Sequence, residues 1–301
     1  MSDLSTRTDR AVAAAVAAGR TIGVTSTEPK VLHDVFSVVV HLAPEPVVVR
    51  VPVVLPSSLQ SDLAAQAVRQ SDELAVVSWL ASNGHPVVPP AHGEPVQLDG
   101  FSMTLWQLVD VPEGEPDYVK NVGLTPSLHA ALRDYPGSLP FLSPLGGYIP
   151  DSLGLLEKQP ELIGAEDLAR ARAEWEVVAP VLTSHDAFTA AFPEVTVQPI
   201  HGDSPPFNLI GERFSDFEDA TLGPVEWDLT LVGPDLGAVY DAAAVELGLR
   251  PLDERVLRVL DVARMLQVVS CLALVPQLPM LADGLQQPLA AWRAMPQLTA
   301  V

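Results

Sequence analysis

The residues whose types and spacing could do chemistry lie between positions 201 and 229. Asp203 is followed five positions later by Asn208, and Asp216 comes eight positions after that. One carboxylate can orient the proton of an attacking hydroxyl, while a second carboxylate and an amide oxygen can hold magnesium ions that bridge phosphates. The pattern therefore indicates phosphoryl transfer. The alternative is a Pro-rich surface turn over residues 201–208 followed by a solvated acidic loop over residues 216–219.

Four short motifs in this region resemble, in type and order, those of the aminoglycoside phosphotransferase and choline kinase group, which shares the protein-kinase-like fold. The motifs are His201-Gly202-Asp203, Asn208, Asp216-Phe217 and Asp228-Leu229. The resemblance implies that Asp203 is the catalytic carboxylate and that Asn208 and Asp216 are magnesium ligands. It also implies that Asp228 is a buried brace of the loop and that His201 orients the loop.

The loop departs from this family pattern at residues 204–207. These read Ser-Pro-Pro-Phe, where related loops usually read Leu-His-Pro-Gly, although the spacing of the flanking acid and amide is kept. Glu218 and Asp219 are close enough in sequence to compete with Asp216 for metal. The resemblance favours Asp216, because it follows a short apolar approach and directly precedes a Phe.

The first third of the chain predicts a small sheet that carries one main helix. The predicted helices are 5–18 and 61–82, and the predicted strands are 21–25, 35–43, 47–52, 87–88 and 101–109. Beyond Asp110 the pattern changes to helices separated by Pro/Gly-rich loops. These helices are 127–133, 165–179, 238–247, 253–274 and 289–295, with short apolar runs at 196–200 and 208–210.

Together these elements predict an α+β fold with a small β-rich lobe and a larger helical lobe. Under the resemblance this is a bilobal kinase-like fold, in which residues 1–108 bind the nucleotide. Residues 109–301 then carry the catalytic loop and the acceptor site, and the nucleotide lies in the cleft between the lobes.

The first lobe should also supply a cation for the α- and β-phosphates and an acid to fix it. Arg50 lies in the strand that carries a Lys in most kinases of this fold, and Glu73 lies on the helix that normally provides its partner. A guanidinium contacts phosphate well through its fork of donors, so the Arg does not imply lost activity. The alternative is that both side chains face solvent.

Two further nucleotide contacts are predicted in this lobe. No Gly-rich loop lies between the first two predicted strands, so the hydroxyl and backbone donors of Ser26 and Thr27 are assigned to the phosphates. The connector Trp106-Gln107-Leu108 is assigned to the purine edge, where extended backbone can pair with a base. Trp106 alternatively belongs to the core between the lobes.

Composition restricts the partners. The chain has 38 Asp and Glu against 17 Lys and Arg, for a formal net charge of −21. A protein that displaces counterions from a phosphate backbone needs the opposite sign, so nucleic acid and anionic membranes are poor partners. A cationic or neutral small substrate fits better, although acidity that only maintains solubility is an equally open explanation.

Cysteine content and hydropathy indicate a cytoplasmic protein. Cys271 is the only cysteine, which excludes a disulfide within the chain and fits a reducing compartment. The most apolar late stretch, residues 265–282, is interrupted by Pro276 and Pro279 and is too broken to span a bilayer.

The sequence therefore predicts a phosphotransferase that uses Mg²⁺ and either ATP or GTP, with a hydroxylated small molecule as acceptor. The acceptor could be an antibiotic of aminoglycoside, nucleoside or peptide type, which would mean a resistance role. It could equally be a metabolic sugar, choline or amino-alcohol. A third alternative is a catalytically silent nucleotide-binding scaffold, and the oligomeric state stays open.

Overall fold

The protein divides into two compact units. The computed structural model describes the backbone of residues 2–301 and the side chains of residues 6–143 and 145–301. The first unit runs to Glu115 and includes Leu209–Glu218, and the second contains Pro116–Asn208 and Asp219–Val301. Strands lie mainly in the first unit and helices in the second, so the α+β class is confirmed.

The helices and strands are numbered in chain order. The strands are β1 (Lys30–Asp34), β2 (Ser37–His41), β3 (Val47–Pro52), β4 (Val96–Leu98), β5 (Phe101–Gln107), β6 (Gln198–Ile200), β7 (Leu209–Ile210), β8 (Arg213–Phe214) and β9 (Thr221–Gly223). The helices are α1 (Ser2–Thr21), α2 (Leu63–Ser82), α3 (Tyr118–Leu132), α4 (Ser143–Gly146), α5 (Tyr148–Glu157), α6 (Ala165–Leu182), α7 (His185–Ala191), α8 (Pro234–Glu246), α9 (Glu254–Ser270), α10 (Leu281–Gly284) and α11 (Gln286–Ala294).

The first unit is built on a five-stranded antiparallel sheet in the order β1-β2-β3-β5-β4. Side chains alternate across a strand, so each strand offers one face to α1 and the other to the opposite side. Val49 and Val51 of β3 pack in one cluster with the small side chains Ala11 and Ala15 of α1. Arg50, between those two valines, therefore belongs to the opposite face of the sheet.

The predicted strand at 21–25 is wrong. Helix α1 continues to Thr21 and is followed by a turn, while the first strand is Lys30–Asp34. An Ala-rich sequence favours continued helix, which explains the longer α1. Four of the five β1 residues are exposed, so the strand lacks the apolar alternation by which it could have been recognised.

The predicted division after residue 108 also differs from the two units. The β7–β8 hairpin of residues 209–214 belongs to the first unit because it pairs with the segment after α2. Phe214 N donates to Pro86 O at 2.9 Å, and Val88 N donates to Phe214 O at 2.9 Å.

The second unit packs its helices around α9. One cluster of buried side chains joins α9 to α5, α6, α8 and α11 and includes Trp227 and Trp292. Asp253 caps α9 by accepting hydrogen bonds from the backbone N–H groups of Arg255 and Val256. Helix α3 begins at Tyr118, nine residues before its predicted start at 127, and α5 was not predicted. Within residues 2–301, no helix combines the length and apolar character that crossing a membrane requires.

Candidate active site

Arg50 and Glu73 form a buried ion pair in the first unit. Arg50 Nη2 donates to Glu73 Oε2, and the two side chains are 11% and 0% exposed. Burial raises the pKa of the Glu73 carboxyl, and the Arg50 guanidinium opposes that rise. Within the described residues, Arg50 Nε and Glu73 Oε1 are buried without a hydrogen-bond partner. The structure thus brings these two predicted residues together and does not leave them facing solvent.

Two further carboxylates surround the Arg50 guanidinium. Arg50 Nη1 donates to Asp216 Oδ1, and Glu218 Oε2 lies 3.6 Å from the same nitrogen. Burial opposes the charge of Arg50, but Glu73, Glu218 and Asp216 outweigh it and raise its pKa. Asp216 is 43% exposed and has a left-handed backbone, with φ of 63°. The predicted metal ligand and the predicted phosphate cation are therefore in contact.

Ser26 and Thr27 do not lie where the sequence analysis placed them. They precede β1, and both the Ser26 hydroxyl and the Thr27 N–H donate to Ala43 O, at 2.9 and 3.0 Å. The turn that joins β1 and β2 instead contains Val35 and Phe36. The positional basis for assigning Ser26 and Thr27 to the phosphates is therefore wrong, because it depended on a strand at 21–25.

The predicted connector is already hydrogen-bonded within the first unit. Gln107 N donates to Pro89 O and Leu108 N donates to Pro46 O, each at 2.9 Å. Trp106 lies over Arg50, with the guanidinium carbon 5.9 Å from the ring centroid, and its indole N–H donates to Thr104 Oγ1. The N–H groups of Gln107 and Leu108 are thus not available to a purine edge.

In the second unit, the buried Asp228 carboxylate holds the loop that begins at His201. Its Oδ2 accepts the His201 N–H at 2.9 Å, and its Oδ1 accepts the Gly202 N–H at 2.7 Å. The His201 ring is buried as well, and its Nδ1 accepts the Asp203 N–H at 3.3 Å. The Asp228 carboxylate and the His201 ring thus both hydrogen-bond to the backbone of this loop.

Three residues that the sequence analysis missed complete this support. His129 Nε2 lies 3.0 Å from Asp228 Oδ2, and His129 Nδ1 lies 2.8 Å from the Tyr240 hydroxyl. The Trp227 indole N–H donates to Gly202 O at 2.7 Å. His129 lies in α3, about 70 residues before the loop, and Tyr240 lies in α8, about 30 residues after it. No local motif could have connected them with it.

Gly202 is required by the close approach of two backbone segments. Its φ is +88°, and a Cβ at this position would lie 1.8 Å from Asp219 O. Only a residue without a side chain fits that conformation and that contact. The Gly of the motif therefore allows the loop at 201–208 to pack against the backbone of Asp219.

Asp203 and Asn208 are brought together across the loop. Asn208 Nδ2 donates to the Asp203 backbone O at 2.6 Å, and its distance to Asp203 Oδ2 is 3.4 Å. The Pro205–Phe207 segment forms a single 3₁₀ turn between them, and Asn121 Nδ2 donates to Pro206 O at 2.9 Å. The Ser-Pro-Pro-Phe replacement is thus accommodated as a short helical turn that keeps the acid and the amide side by side.

Arg264 is a further missed residue that touches the predicted catalytic acid. Its Nη1 donates to Asp203 Oδ1 at 3.1 Å, and Asp203 itself is 45% exposed. The only sequence signal was a basic residue flanked by the apolar Ala263 and Met265.

Within the described residues, no group of three or more His, Cys, Asp or Glu side chains is arranged to hold a metal ion. The predicted ligands are one carboxylate and one amide, a set too small to be a metal cage without phosphate oxygens. Such a set matches the way Mg²⁺ is usually bound beside a nucleotide, through one or two protein oxygens plus substrate phosphates. The donor chemistry of Asn208 and Asp216 therefore fits magnesium.

The chain is similar to several solved structures over most of its length. Wild-type aminoglycoside 2'-phosphotransferase-IIIa, solved as a GDP complex, shows 15% identity and a TM-score of 0.57, covering 93% of this chain and 96% of that chain. Choline kinase LicA from Streptococcus pneumoniae shows 11% identity and a TM-score of 0.60, covering 93% and 98%. The microcompartment-associated aminopropanol kinase shows 15% identity and a TM-score of 0.57, covering 92% and 94%.

No family model matches the chain, and no curated protein matches it in sequence. The likeness is therefore one of three-dimensional structure, at identities of 11 to 15%. It confirms the kinase-like fold that the motifs predicted. The chain has the fold shared by these aminoglycoside phosphotransferases and small-molecule kinases.

Proposed function

We propose that the chain is a phosphotransferase that moves the γ-phosphate of ATP or GTP to a hydroxyl of a small molecule. The observation that carries this proposal is the geometry of loop 201–208. An exposed carboxylate, Asp203, is held on a loop whose backbone is braced by the buried Asp228. Because enzymes of this class act mainly by positioning and charge, a fixed acid on this fold is well suited to the reaction.

In this reaction the acceptor hydroxyl attacks the γ-phosphorus, the bond to the bridging oxygen breaks, and the nucleoside diphosphate leaves. Asp203 orients the hydroxyl and accepts its proton. Arg50 holds the α- and β-phosphates through its fork of donors, and Glu73 fixes the guanidinium from the other side. Arg50 and Glu73 therefore act on the nucleotide, and Asp203 acts on the acceptor.

Asn208 and Asp216 would hold magnesium, which supplies positive charge against the phosphate oxygens. The Asn208 amide nitrogen donates to the Asp203 carbonyl, which directs the amide oxygen away from that carbonyl. Asp216 is exposed enough to bind an ion. Asp216 remains the preferred ligand over Glu218 and Asp219, on the resemblance of the motif.

The purine edge is assigned to the backbone that follows β5. Within the described chain, the N–H groups of residues 109–111 donate to no protein group, unlike those of the two residues before them. Backbone donors that are not used within the protein are what pairing with a base requires. This assignment replaces the one made from sequence for Gln107 and Leu108.

The acceptor is proposed to carry a positive charge. The net charge of −21 favours cations, and aminoglycosides, choline and aminopropanol, the compounds named for the similar structures, all carry amine or ammonium groups. An antibiotic acceptor would give the protein a resistance role, and an amino-alcohol or sugar a metabolic one. Use of ATP or GTP agrees with the predicted cytoplasmic location.

The test is phosphoryl transfer to a panel of acceptors. The protein is incubated with Mg²⁺ and either ATP or GTP, together with aminoglycoside, nucleoside and peptide antibiotics, sugars, choline and amino-alcohols. Mass spectrometry then detects any compound that has gained one phosphoryl group. We expect transfer by the wild type and transfer at least about 100-fold slower by Asp203→Asn, with Asp134→Asn as the matched control on an exposed carboxylate.

A scaffold would give a different result. Nucleotide would raise the melting temperature, yet neither a phosphorylated acceptor nor a nucleoside diphosphate would form. That outcome would overturn the proposal in favour of a silent nucleotide-binding protein.

A further inference from the structure

Arg264 is held by contacts from all three of its side-chain nitrogens. Nε donates to Thr230 Oγ1 at 3.0 Å, Nη1 to Asp203 Oδ1 at 3.1 Å and to Gln267 Oε1 at 2.9 Å, and Nη2 lies 3.4 Å from Trp227 O. The guanidinium carbon also lies 3.9 Å from the centroid of the Trp227 ring. These contacts fix the guanidinium in one place and leave it little freedom to rotate.

Burying a charge in this position costs free energy unless the charge is paired and hydrogen-bonded. The Arg264 side chain is 12% exposed, and burial lowers the pKa of the guanidinium. Asp203 is the first of the carboxylates that oppose this fall. Buried charges are retained in proteins when they are paired and hydrogen-bonded, and Arg264 has both kinds of partner. Its most exposed partner is the predicted catalytic acid.

Arg264 reaches the catalytic loop by two routes. Directly, its Nη1 contacts one oxygen of the Asp203 carboxylate. Indirectly, it stacks on Trp227, whose indole N–H holds the carbonyl of Gly202, the residue before Asp203. Arg264 thus helps to fix the position of the Asp203 carboxylate and of the backbone that carries it.

The two oxygens of Asp203 consequently differ. Oδ1 accepts from Arg264 at 3.1 Å, whereas within the described residues Oδ2 has only the long 3.4 Å approach of the Asn208 amide. A carboxylate tethered through one oxygen presents the other in a defined direction. Oδ2 is then the atom that faces an incoming hydroxyl.

We propose that Arg264 is a positioning residue for Asp203, which it tethers by Oδ1 so that Oδ2 receives the proton of the acceptor hydroxyl. This inference rests on the proposed phosphotransferase function. It assigns to α9 a task that loop residues 204–207, with their Ser-Pro-Pro-Phe sequence, do not perform. Arg264 acts through Asp203 and need not touch the substrate.

The test is a double-mutant cycle on ATP turnover. Water can replace an unidentified acceptor, so phosphate release from ATP and Mg²⁺ is measured for the wild type, Arg264→Gln, Asp203→Asn and the double variant. We expect Arg264→Gln to lower kcat by about 10- to 100-fold, with the KM for ATP within about 2-fold, as misplacement of a reacting group would do. The double variant should be no slower than Asp203→Asn alone, because Arg264 would then have nothing left to position.

Two further variants keep the result interpretable. Arg264→Lys retains the charge but loses the planar fork, so its kcat should lie between those of the wild type and Arg264→Gln. Arg258→Gln, on the exposed part of the same helix, should leave kcat unchanged. Melting temperatures identify a variant that does not fold, and if Arg264→Gln fails in this way the cycle is run with Arg264→Lys.

The possible failures are distinct. If the wild type releases no phosphate from ATP and phosphorylates no acceptor, the phosphotransferase proposal is lost and the role of Arg264 falls with it. If the wild type is active but the effects of the Arg264 and Asp203 variants multiply, Arg264 does not act through Asp203. An Arg264→Gln protein with wild-type turnover would contradict the inference outright.

Discussion

Replacing Asp228 by Asn removes one of the two carboxylate oxygens that hold the predicted catalytic loop. In the wild type, Oδ2 accepts from His201 N and from the ring of His129, and Oδ1 accepts from Gly202 N. An Asn keeps most of these bonds if its oxygen takes the place of Oδ2. Its NH₂ group then faces the Gly202 N–H, so that two donors oppose each other.

The size of the effect follows from these contacts. The lost hydrogen bond to a charged group is worth about 1.5–3 kcal/mol, and a buried N–H without an acceptor costs about 1–3 kcal/mol more. We therefore expect Asp228→Asn to lower the free energy of unfolding by about 3–5 kcal/mol, which lies within the sum of these two losses. Turnover should fall about 100-fold or more, because the loop that presents Asp203 is displaced.

Urea unfolding followed by fluorescence and circular dichroism measures the stability change, and phosphate release measures turnover. Asp134→Asn, an exposed Asp at the end of α3, is the matched control and should change stability by less than about 0.5 kcal/mol. An Asp228→Asn protein with a stability within about 1 kcal/mol of wild type and with full turnover would refute the reasoning, since the brace would then be dispensable.

Arg50→Ala leaves the buried Glu73 carboxylate without its partner and should cost about 3–5 kcal/mol in urea unfolding, whereas Arg50→Lys keeps a cation and should cost less. Gly202→Ala should destabilise the protein more than Gly248→Ala does, because both positions have positive φ but an added Cβ meets backbone atoms only at Gly202. Thermal melts of the two variants measure the difference. Asp253→Ala removes the α9 cap and should cost about 1 kcal/mol at pH 7. The Arg255 guanidinium and the helix N–H groups lower the pKa of Asp253 to about 2 from an ordinary 3.8. The stability that the cap contributes is therefore present above pH 3.8 and is lost as the pH falls toward 2. Urea unfolding at pH 7 and at acid pH should show that the stability difference between the wild type and Asp253→Ala shrinks in acid.

Much of the local structure was visible in the sequence because its signals are local. The β-branched runs on either side of Pro44 and Pro46 predict the β2–β3 hairpin, and the apolar spacing after Asp62 predicts α2. The resemblance to kinases, together with the position of Glu73 on that helix, suggested its contact with Arg50. The loop motif likewise identified His201 and Asp228, which hydrogen bonds within the second unit then connect.

The missed features depend on contacts between residues far apart in the chain. Arg264 and His129 belong to no motif. Each reaches its partner, Asp203 or Asp228, only because its helix packs near the loop at 201–208. Helix α3 was predicted too short because Gly123 and Pro126, which lie inside it, are helix breakers by propensity, and tertiary packing overrides that preference. The error at Ser26 came from a local β signal at 21–25, where the structure instead has the end of α1 and the turn that follows it.

We propose that this chain removes the terminal phosphoryl group of a nucleoside triphosphate with the help of Asp203. This claim is tested most directly by following radiolabelled γ-phosphate from ATP, with Mg²⁺ present, into either an acceptor or free phosphate. We predict that the wild type and Asp134→Asn transfer the label at the same rate and that Asp203→Asn does so at least about 100-fold more slowly. Label that never leaves ATP, or that leaves equally fast in Asp203→Asn, would contradict the claim.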